Sequence, residues 1–171
     1  MTGVISLGLL LMRVVIGLTV AAHGAQKLFG WFEGPGVDGF AAGLERMGIR
    51  PARQFAVLAG LGELGGGILA ALGFLYPIGP LVVAAGMVVA IFTVHYANGF
   101  FNTKGGYEFP FVILATMLGV SITGPGLYSV DGLVRLHLPE PVTWIVVAIG
   151  AGLSAVVALE SRRFGRWREL C

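Results

Sequence analysis

Charged residues are scarce in this sequence. Only 12% of its 171 residues are Asp, Glu, Lys or Arg, which is about half the share found in an average soluble domain. Hydrophobic residues make up 56% of the chain and the mean hydropathy is +0.87. The chain therefore has too little charge to cover a soluble surface, and we predict an integral membrane protein.

Cysteine is nearly absent as well. The single cysteine, Cys171, is the last residue, so the chain has neither an intramolecular disulfide nor a C-x-x-C redox pair. Any redox chemistry must then use a partner protein or a bound cofactor. Metal-binding spacings such as His-x-x-x-His and Glu-x-x-His are also missing, and we predict no metal site.

Long apolar runs fill most of the chain. A membrane-spanning helix needs about 20 mostly apolar residues, and five segments come near this length: about 4–29, 55–75, 81–100, 109–123 and 142–159. We predict an all-α integral membrane protein. Residues 1–131 form a four-helix transmembrane bundle core, and residues 132–171 add a fifth transmembrane helix and a basic tail. The two prolines of "YPIGP", at 76–80, predict a turn after the second span.

The basic residues of the loops predict the orientation, because Lys and Arg favour the cytoplasmic side. With five spans, the loops after spans one and three share a side with the tail. That side holds Arg46, Arg50, Arg53, Lys104, Arg162, Arg163, Arg166 and Arg168. The C-terminus is therefore predicted to be cytoplasmic, unless the fifth segment lies on the membrane surface. A membrane flank also explains the net charge of +2 without a nucleic-acid partner.

The first apolar segment carries its polar side chains on one face. Lys27 lies fourteen positions after Arg13, which at 100° per residue returns to nearly the same face, and His23 is one turn before Lys27. We expect this face to point into the protein. The alternative is that Arg13 and Lys27 extend toward opposite membrane surfaces.

Glu63 is the matching acid in the second segment. Beside it Gly62, Gly66 and Ala70 form a small-x-x-x-small ladder, which permits close helix packing. A charged group inside a membrane costs about 2.5–3.5 kcal/mol on insertion scales, so the carboxylate needs a cation. We predict a buried Arg13–Glu63 pair, with His23 as the second candidate. Such a pair serves either packing specificity or a functional site.

The long connection between the first two spans contains "FAAGLERMGIRPAR". Phe40, Leu44 and Met47 are spaced by four and three residues, and this apolar stripe predicts a short amphipathic helix that ends near Gly48. We favour a helix at the lipid headgroups over a substrate-binding lid.

A second polar group follows the third span, in "FTVHYANGFFN". His95, Asn98 and Asn102 share a face near one membrane surface, and Glu108 begins the fourth helix, where a carboxylate suits the positive end of the helix dipole. These residues are either packing residues or part of a proton-relay or quinone-head site. The neighbouring aromatic residues Phe92, Tyr96, Phe100 and Phe101 suit a flat quinone ring, but a membrane interface alone also explains them.

The motifs "HGAQKLFG", "GELGGGILAALG" and "HYANGFFNTKGGYE", with an arginine in the first span, resemble the DoxX family of small bacterial and archaeal membrane proteins. The resemblance covers about residues 7–131 and implies a four-helix core. The family takes its name from the small subunit of an archaeal thiosulfate:quinone oxidoreductase, and relatives are linked to membrane redox and stress-defence complexes. The residues that match its recurring positions are Arg13, His23, Gly24, Lys27, Glu63, Gly66, His95, Gly106 and Glu108. The family assigns none of them a catalytic role.

The resemblance implies a membrane subunit of a quinone-linked oxidoreductase complex, in a bacterial or archaeal cell membrane. It would anchor an oxidoreductase partner and shape a polar intramembrane pocket around a quinone that is not covalently bound. The candidate residues are Arg13, His23, Lys27, Glu63, His95, Asn98 and Glu108. The alternative is a non-enzymatic membrane scaffold or assembly factor. A transporter is disfavoured because paired broken helices are missing, and self-association stays open.

Overall fold

The computed structural model describes residues 3–139, together with 141, 144–145, 148–149 and 152. Its α-helices in chain order are α1 (Gly3–Phe29), α2 (Gly36–Arg46), α3 (Ala52–Leu72), α4 (Ile78–Ala90), α5 (Glu108–Thr123) and α6 (Val130–Val134). No strand occurs in these residues, and the prediction of an all-α chain is confirmed for them.

Among the described residues, three helices are long and apolar enough to cross a membrane. They are α1, α3 and the continuous helical segment Ile78–Asn98 that begins with α4. Helix α5 agrees with the fourth predicted span, but its 16 residues extend over only about 24 Å, less than the hydrocarbon thickness of about 30 Å. A fourth and a fifth crossing stay predictions. The segment 142–159 and the basic tail lie mostly outside the described residues.

The second and third spans begin earlier than predicted. Helix α3 covers Ala52–Leu72 instead of 55–75, and α4 begins at Ile78 instead of 81. The prediction that "YPIGP" is a turn throughout was wrong in its second half. Pro80 lies in the first turn of α4, where a helix needs no backbone N–H and tolerates proline.

The third span changes its winding before it ends. After Ala90 the chain forms a π-helix over Ile91–His95 and a short 3₁₀ turn over Tyr96–Asn98. A second 3₁₀ turn at Asn102–Lys104 precedes α5. π-Helical segments are rare and often lie at functional sites, and this one positions His95.

Helices α1 and α3 run antiparallel in very close contact. A Cβ atom added to Gly67 would lie 2.5 Å from the carbonyl oxygen of Gly17, and one added to Gly24 would lie 2.4 Å from the backbone nitrogen of Leu64. Only glycine allows the two backbones to approach so closely. Arg13, Gly17 and Gly24 are buried and point inward as predicted, whereas Lys27 is only partly buried and His23, predicted on the same face, is exposed.

The apolar core lies where α1, α3, α4 and α5 meet. Its buried members include Val20, Ala70, Val83, Met87, Ile113, Met117 and Val120. Helix α2 lies outside this core and confirms the predicted amphipathic helix. Its Leu44 packs with Ile49 and Ala56 in a separate cluster that includes Phe40 and Met47. Helix α2 therefore covers the first turns of α3, near the end of α1.

Candidate functional site

The polar side chains lie at two opposite ends of the bundle. The α2 end consists of the last turns of α1, helix α2, the first half of α3 and residues 95–108. The turn end consists of the first half of α1, residues 71–77 between α3 and α4, and residues 124–136. The predicted site residues divide between these two ends.

A charge pair joins α1 and α3 at the α2 end. Lys27 Nζ donates a hydrogen bond to Glu63 Oε1. The Cα–Cβ bond of a helical residue leans toward the N-terminus of its helix. Because α1 and α3 are antiparallel, Lys27 therefore leans into the bundle and Glu63 leans toward it. The Lys27 side chain is 23% exposed and the Glu63 side chain 10%, so both charged groups are largely buried.

Glu63 keeps one acceptor unused. Its second carboxylate oxygen, Oε2, is buried and has no hydrogen-bond partner among the described residues. On the opposite side of the pair, the ring of Phe40 from α2 lies 4.9 Å from Lys27 Nζ, a distance at which a cation is attracted to a ring face. The lysine thus contacts a carboxylate and an aromatic ring, and the carboxylate can accept a further donor.

His23 lies one turn before Lys27 and is exposed. Its Nδ1 is 3.1 Å from Gln26 Oε1, and its ring meets the Phe109 ring of α5 edge-on, with centroids 5.7 Å apart. His23 does not contact Glu63 through any hydrogen bond in this part of the chain, and the prediction of His23 as the second candidate partner was wrong.

The last residue of the π-helix, His95, and two polar residues that follow it hold the next loop in place. His95 Nδ1 lies 2.8 Å from the carbonyl oxygen of Gly105, and Asn98 Nδ2 donates to the same oxygen at 3.1 Å. Glu108 Oε2 accepts from the backbone N–H of Asn102 at 2.9 Å. His95, Asn98 and Glu108 thus hold the connection between α4 and α5 in one conformation. Each of these side chains has a hydrogen-bond partner in the backbone of this connection.

The aromatic residues of this connection form a row of rings on its surface. The Tyr96 ring stacks on Tyr107 at 6.1 Å, while Phe92 lies 5.9 Å from Tyr96 and Phe100 lies 5.4 Å from Tyr107. Phe92, Tyr96, Phe100 and Phe101 are all exposed. Exposed rings at the end of a membrane helix are typical of the lipid headgroup region.

Arg13 lies at the turn end and is fully buried, at 0% exposure. Its Nη2 donates to the carbonyl oxygen of Tyr128 at 2.7 Å, and its Nη1 lies 3.4 Å from the carbonyl oxygen of Ala71. The predicted Arg13–Glu63 pair was therefore wrong. Arg13 lies beside Gly73, ten residues after Glu63, which is about 15 Å along α3.

Asp131 supplies the acid at the turn end, and the sequence analysis missed it. Its carboxylate accepts from the backbone N–H groups of Leu75 at 3.1 Å and Tyr76 at 2.7 Å, and its charge attracts Arg13. Asp131 follows the "GPG" turn by only a few residues, and no spacing rule connects it with α1. A buried arginine without a nearby acid was the one signal that could have led to it.

The glycine ladder predicted beside Glu63 lies against α4. A Cβ atom on Gly66 would lie 3.0 Å from Val82 Cγ1, one on Gly62 would lie 3.8 Å from it, and buried Ala70 faces Gly79. The contact with α1 uses other residues of α3, among them Gly60 and Gly67.

The structure does not bring the predicted site residues into one constellation. Lys27 and Glu63 form a pair, His23 is exposed one turn before Lys27, and His95, Asn98 and Glu108 hold a loop. Arg13 belongs to the opposite end. Within the described ranges, no three His, Cys, Asp or Glu side chains converge so that they could hold a metal ion.

Comparison with known proteins identifies one family. The DoxX family model matches residues 8–96, just over half of the chain. The matched range contains Arg13, Lys27, Glu63 and His95 but ends before Asp131. No curated protein and no solved structure matches the chain. The match and the three long apolar helices indicate a multi-pass membrane protein.

Proposed function

The chain belongs to the DoxX family, and from this premise we propose that it is the membrane subunit of a quinone-linked oxidoreductase complex. It resides in a bacterial or archaeal cell membrane and binds the quinone without a covalent bond. The α2 end of the bundle receives the quinone head, and a soluble oxidoreductase supplies the electrons.

The observation that carries this proposal is the unused oxygen of Glu63. A buried acceptor without a donor is costly in a protein interior, and a donor that arrives with a ligand removes this cost. The hydroxyl group of a hydroquinone is such a donor. Lys27, paired with the other oxygen, keeps a positive charge next to the site and so favours an electron-rich ring oxygen.

The chemistry balances with the partner that the proposal names. Reduction of a quinone to a hydroquinone takes two electrons and two protons. The soluble oxidoreductase delivers the electrons, since the chain has no cysteine pair of its own. The Lys27–Glu63 pair passes one proton to one ring oxygen, and the second proton reaches the other ring oxygen from water at the adjacent membrane surface, so that both oxygens become hydroxyl groups.

The α2 end is also the side on which we place the partner and the cytoplasm. Of the described basic residues in the connections and at the adjoining helix ends, Arg46, Arg50, Arg53 and Lys104 lie at this end, whereas Arg135 lies at the turn end. Cytoplasmic loops carry an excess of Lys and Arg. If the fifth segment crosses the membrane, the C-terminal tail with its four arginines lies on the same side.

A specific observation favours a second candidate, a non-enzymatic scaffold or assembly factor. At the turn end, Arg13 and Asp131 bond backbone groups of the same chain. These two buried charges therefore serve to hold helices and loops together. If Lys27 and Glu63 do the same at the α2 end, the chain needs no quinone.

A binding measurement separates the two candidates. The purified protein in lipid nanodiscs is titrated under anaerobic conditions with a short-chain ubiquinol, whose hydroxyl groups can donate to Glu63 Oε2, and the Glu63→Gln variant is compared with Asp38→Asn, which changes an exposed carboxylate of α2. Hydrogen bonds to charged groups contribute about 1.5–3 kcal/mol, so Glu63→Gln should weaken binding about tenfold or more. Asp38→Asn should bind as the unmodified protein does.

The outcome is decisive only if Glu63→Gln remains folded, which helical circular dichroism and the elution volume in detergent establish. The quinone proposal would be overturned if ubiquinol did not bind saturably to the unmodified protein, or if Glu63→Gln and Asp38→Asn bound it with equal affinity. The scaffold would then be the better account.

A further inference from the structure

We infer that the ligand of the Lys27–Glu63 pair enters sideways from the lipid, through the seam between α1 and α5 where His23 meets Phe109. In this arrangement His23 is the first polar group that the ligand contacts. The inference rests on the proposed function and adds the route, the first contact and the physical class of the ligand.

The seam presents a polar group to the bilayer side of the bundle. His23 and Phe109 are both exposed, and their rings touch edge-on at 5.7 Å and 66°. His23 lies six residues before the end of α1, which is about 9 Å along the helix from its terminus. An exposed imidazole on this outer face, level with the first turn of α5, is open to a ligand whose head group lies in the lipid.

A hydrogen-bond chain fixes which nitrogen of His23 is free. The amide nitrogen of Gln26 donates to the carbonyl oxygen of Phe32 at 3.3 Å, and this bond sets the orientation of the amide. Gln26 Oε1 then faces His23 Nδ1 at 3.1 Å, so Nδ1 carries the proton. The other nitrogen, Nε2, is left as an acceptor.

The polar groups continue inward from His23. Lys27 lies one turn further along the same face of α1, and residues four apart on a helix are neighbours. Lys27 in turn bonds Glu63. Exposure falls along this series, from exposed His23 through Lys27 at 23% to Glu63 at 10%. A ligand that contacts His23 is thus adjacent to the pair.

The approach from the membrane surface is covered. The Phe40 ring lies over Lys27 Nζ at 4.9 Å, and α2 is packed onto α3 through Leu44, Ile49 and Ala56. Arg53 and Asp38 also form an ion pair between α3 and α2. A route from water would have to displace α2, whereas a route from lipid starts at the exposed side chains of His23 and Phe109 and ends at the partly buried Lys27 and the buried Glu63.

These features define the ligand by its chemistry. It dissolves in the bilayer, it carries a flat ring that can pack against Phe109, and it has a hydroxyl donor that His23 Nε2 and Glu63 Oε2 can accept. A hydroquinone meets all three requirements, and a water-soluble anion meets none of them.

Photolabelling tests the route. The protein in nanodiscs is irradiated with an azido-ubiquinone, with and without excess unlabelled ubiquinone, and the labelled peptides are identified by mass spectrometry. We expect competable label on the α1 and α5 peptides that contain His23 and Phe109. Competable label confined to α2, around Phe40, would overturn the lateral route but leave the proposed function standing. Absence of competable label anywhere would overturn both.

A matched pair of histidine variants provides the second readout. His23→Ala removes the acceptor and should raise the Kd for ubiquinol about three- to tenfold, the effect of one lost hydrogen bond. His137→Ala changes an exposed histidine at the turn end and should leave the Kd unchanged. If His23→Ala left the Kd unchanged while Glu63→Gln still raised it, the role of His23 would be contradicted and the site at Glu63 would stand.

Discussion

Lys27 has two ways to satisfy its ammonium group, and the choice defines the α2 end. It lies two residues before the end of α1, so its side chain could reach the headgroups. It pairs instead with Glu63 and contacts Phe40. Glu63 has no such freedom, because it lies in the middle of α3 and a glutamate side chain is short. The carboxylate therefore depends on the lysine more than the lysine depends on the carboxylate.

This asymmetry predicts unequal effects of the two single substitutions. Lys27→Met leaves a buried carboxylate without a cation and should destabilise the protein by about 3–5 kcal/mol. Glu63→Gln should cost clearly less, because Lys27 can then turn toward the headgroups. The double variant should recover most of the stability lost in Lys27→Met. The measurement is the free energy of unfolding from titration with SDS in mixed micelles.

The exposed pair Arg53–Asp38 is the control for this cycle. Its side chains are 69% and 83% exposed, and exposed ion pairs contribute little to stability. Asp38→Asn should therefore leave the unfolding free energy nearly unchanged. Equal destabilisation in Lys27→Met and Glu63→Gln would contradict the asymmetry.

At the scale of the helix, glycine decides how α1 and α3 fit. A Cβ atom added to Gly17 would lie 2.6 Å from the carbonyl oxygen of Gly67, and one added to Gly67 would lie 2.5 Å from the carbonyl oxygen of Gly17. Contacts this short leave no room for a methyl group without a shift of the whole helix. The close approach also brings Lys27 and Glu63 within bonding range, so the fit of the helices and the charge pair depend on each other.

A comparison within one glycine-rich stretch tests this fit. Gly67→Ala should lower the unfolding free energy by about 1–3 kcal/mol, as overpacking does. Gly65→Ala, two residues away, meets nothing within 4 Å and should be neutral or slightly stabilising, because alanine favours helix over glycine. The SDS titration applies here as well. Equal effects of both substitutions would show that the close approach is not needed.

Sequence reasoning reached the helices and the buried face of α1, but it failed in the pairing of charges. Apolar length and the spacing of Phe40, Leu44 and Met47 were sufficient to predict the first three spans and α2. The Arg13–Glu63 pair failed because helical periodicity places residues on a face and says nothing about the relative height of two helices. That height is set by backbone contacts such as Gly17 with Gly67. The link from Arg13 to Tyr128 joins residues 115 positions apart, which no local pattern encodes.

For the whole molecule, the open quantity is the number of crossings. Cys171 is the only cysteine, so a membrane-impermeant maleimide reports the side of the C-terminus directly. We expect Cys171 to be protected in right-side-out vesicles and labelled after lysis, as the predicted cytoplasmic C-terminus requires.

Two single-cysteine variants in a Cys171→Ser background supply the references. Thr103→Cys lies in the exposed loop at the α2 end and Arg135→Cys in the exposed chain at the turn end. Thr103→Cys should behave as Cys171 does, and Arg135→Cys should be labelled without lysis. If Cys171 instead shares the side of Arg135→Cys, the segment 142–159 does not cross.

The connection of Arg13 to residues 128–131 also concerns the order in which the protein is made. During synthesis α1 enters the bilayer long before Tyr128 and Asp131 leave the ribosome. Until then, of the turn-end partners only the carbonyl oxygen of Ala71 can reach its guanidinium. Arg13 therefore lacks its hydrogen bond to Tyr128 through most of translation. Completion of the bundle is a late event, because the bond from Arg13 to Tyr128 forms only after residue 128 has been synthesised.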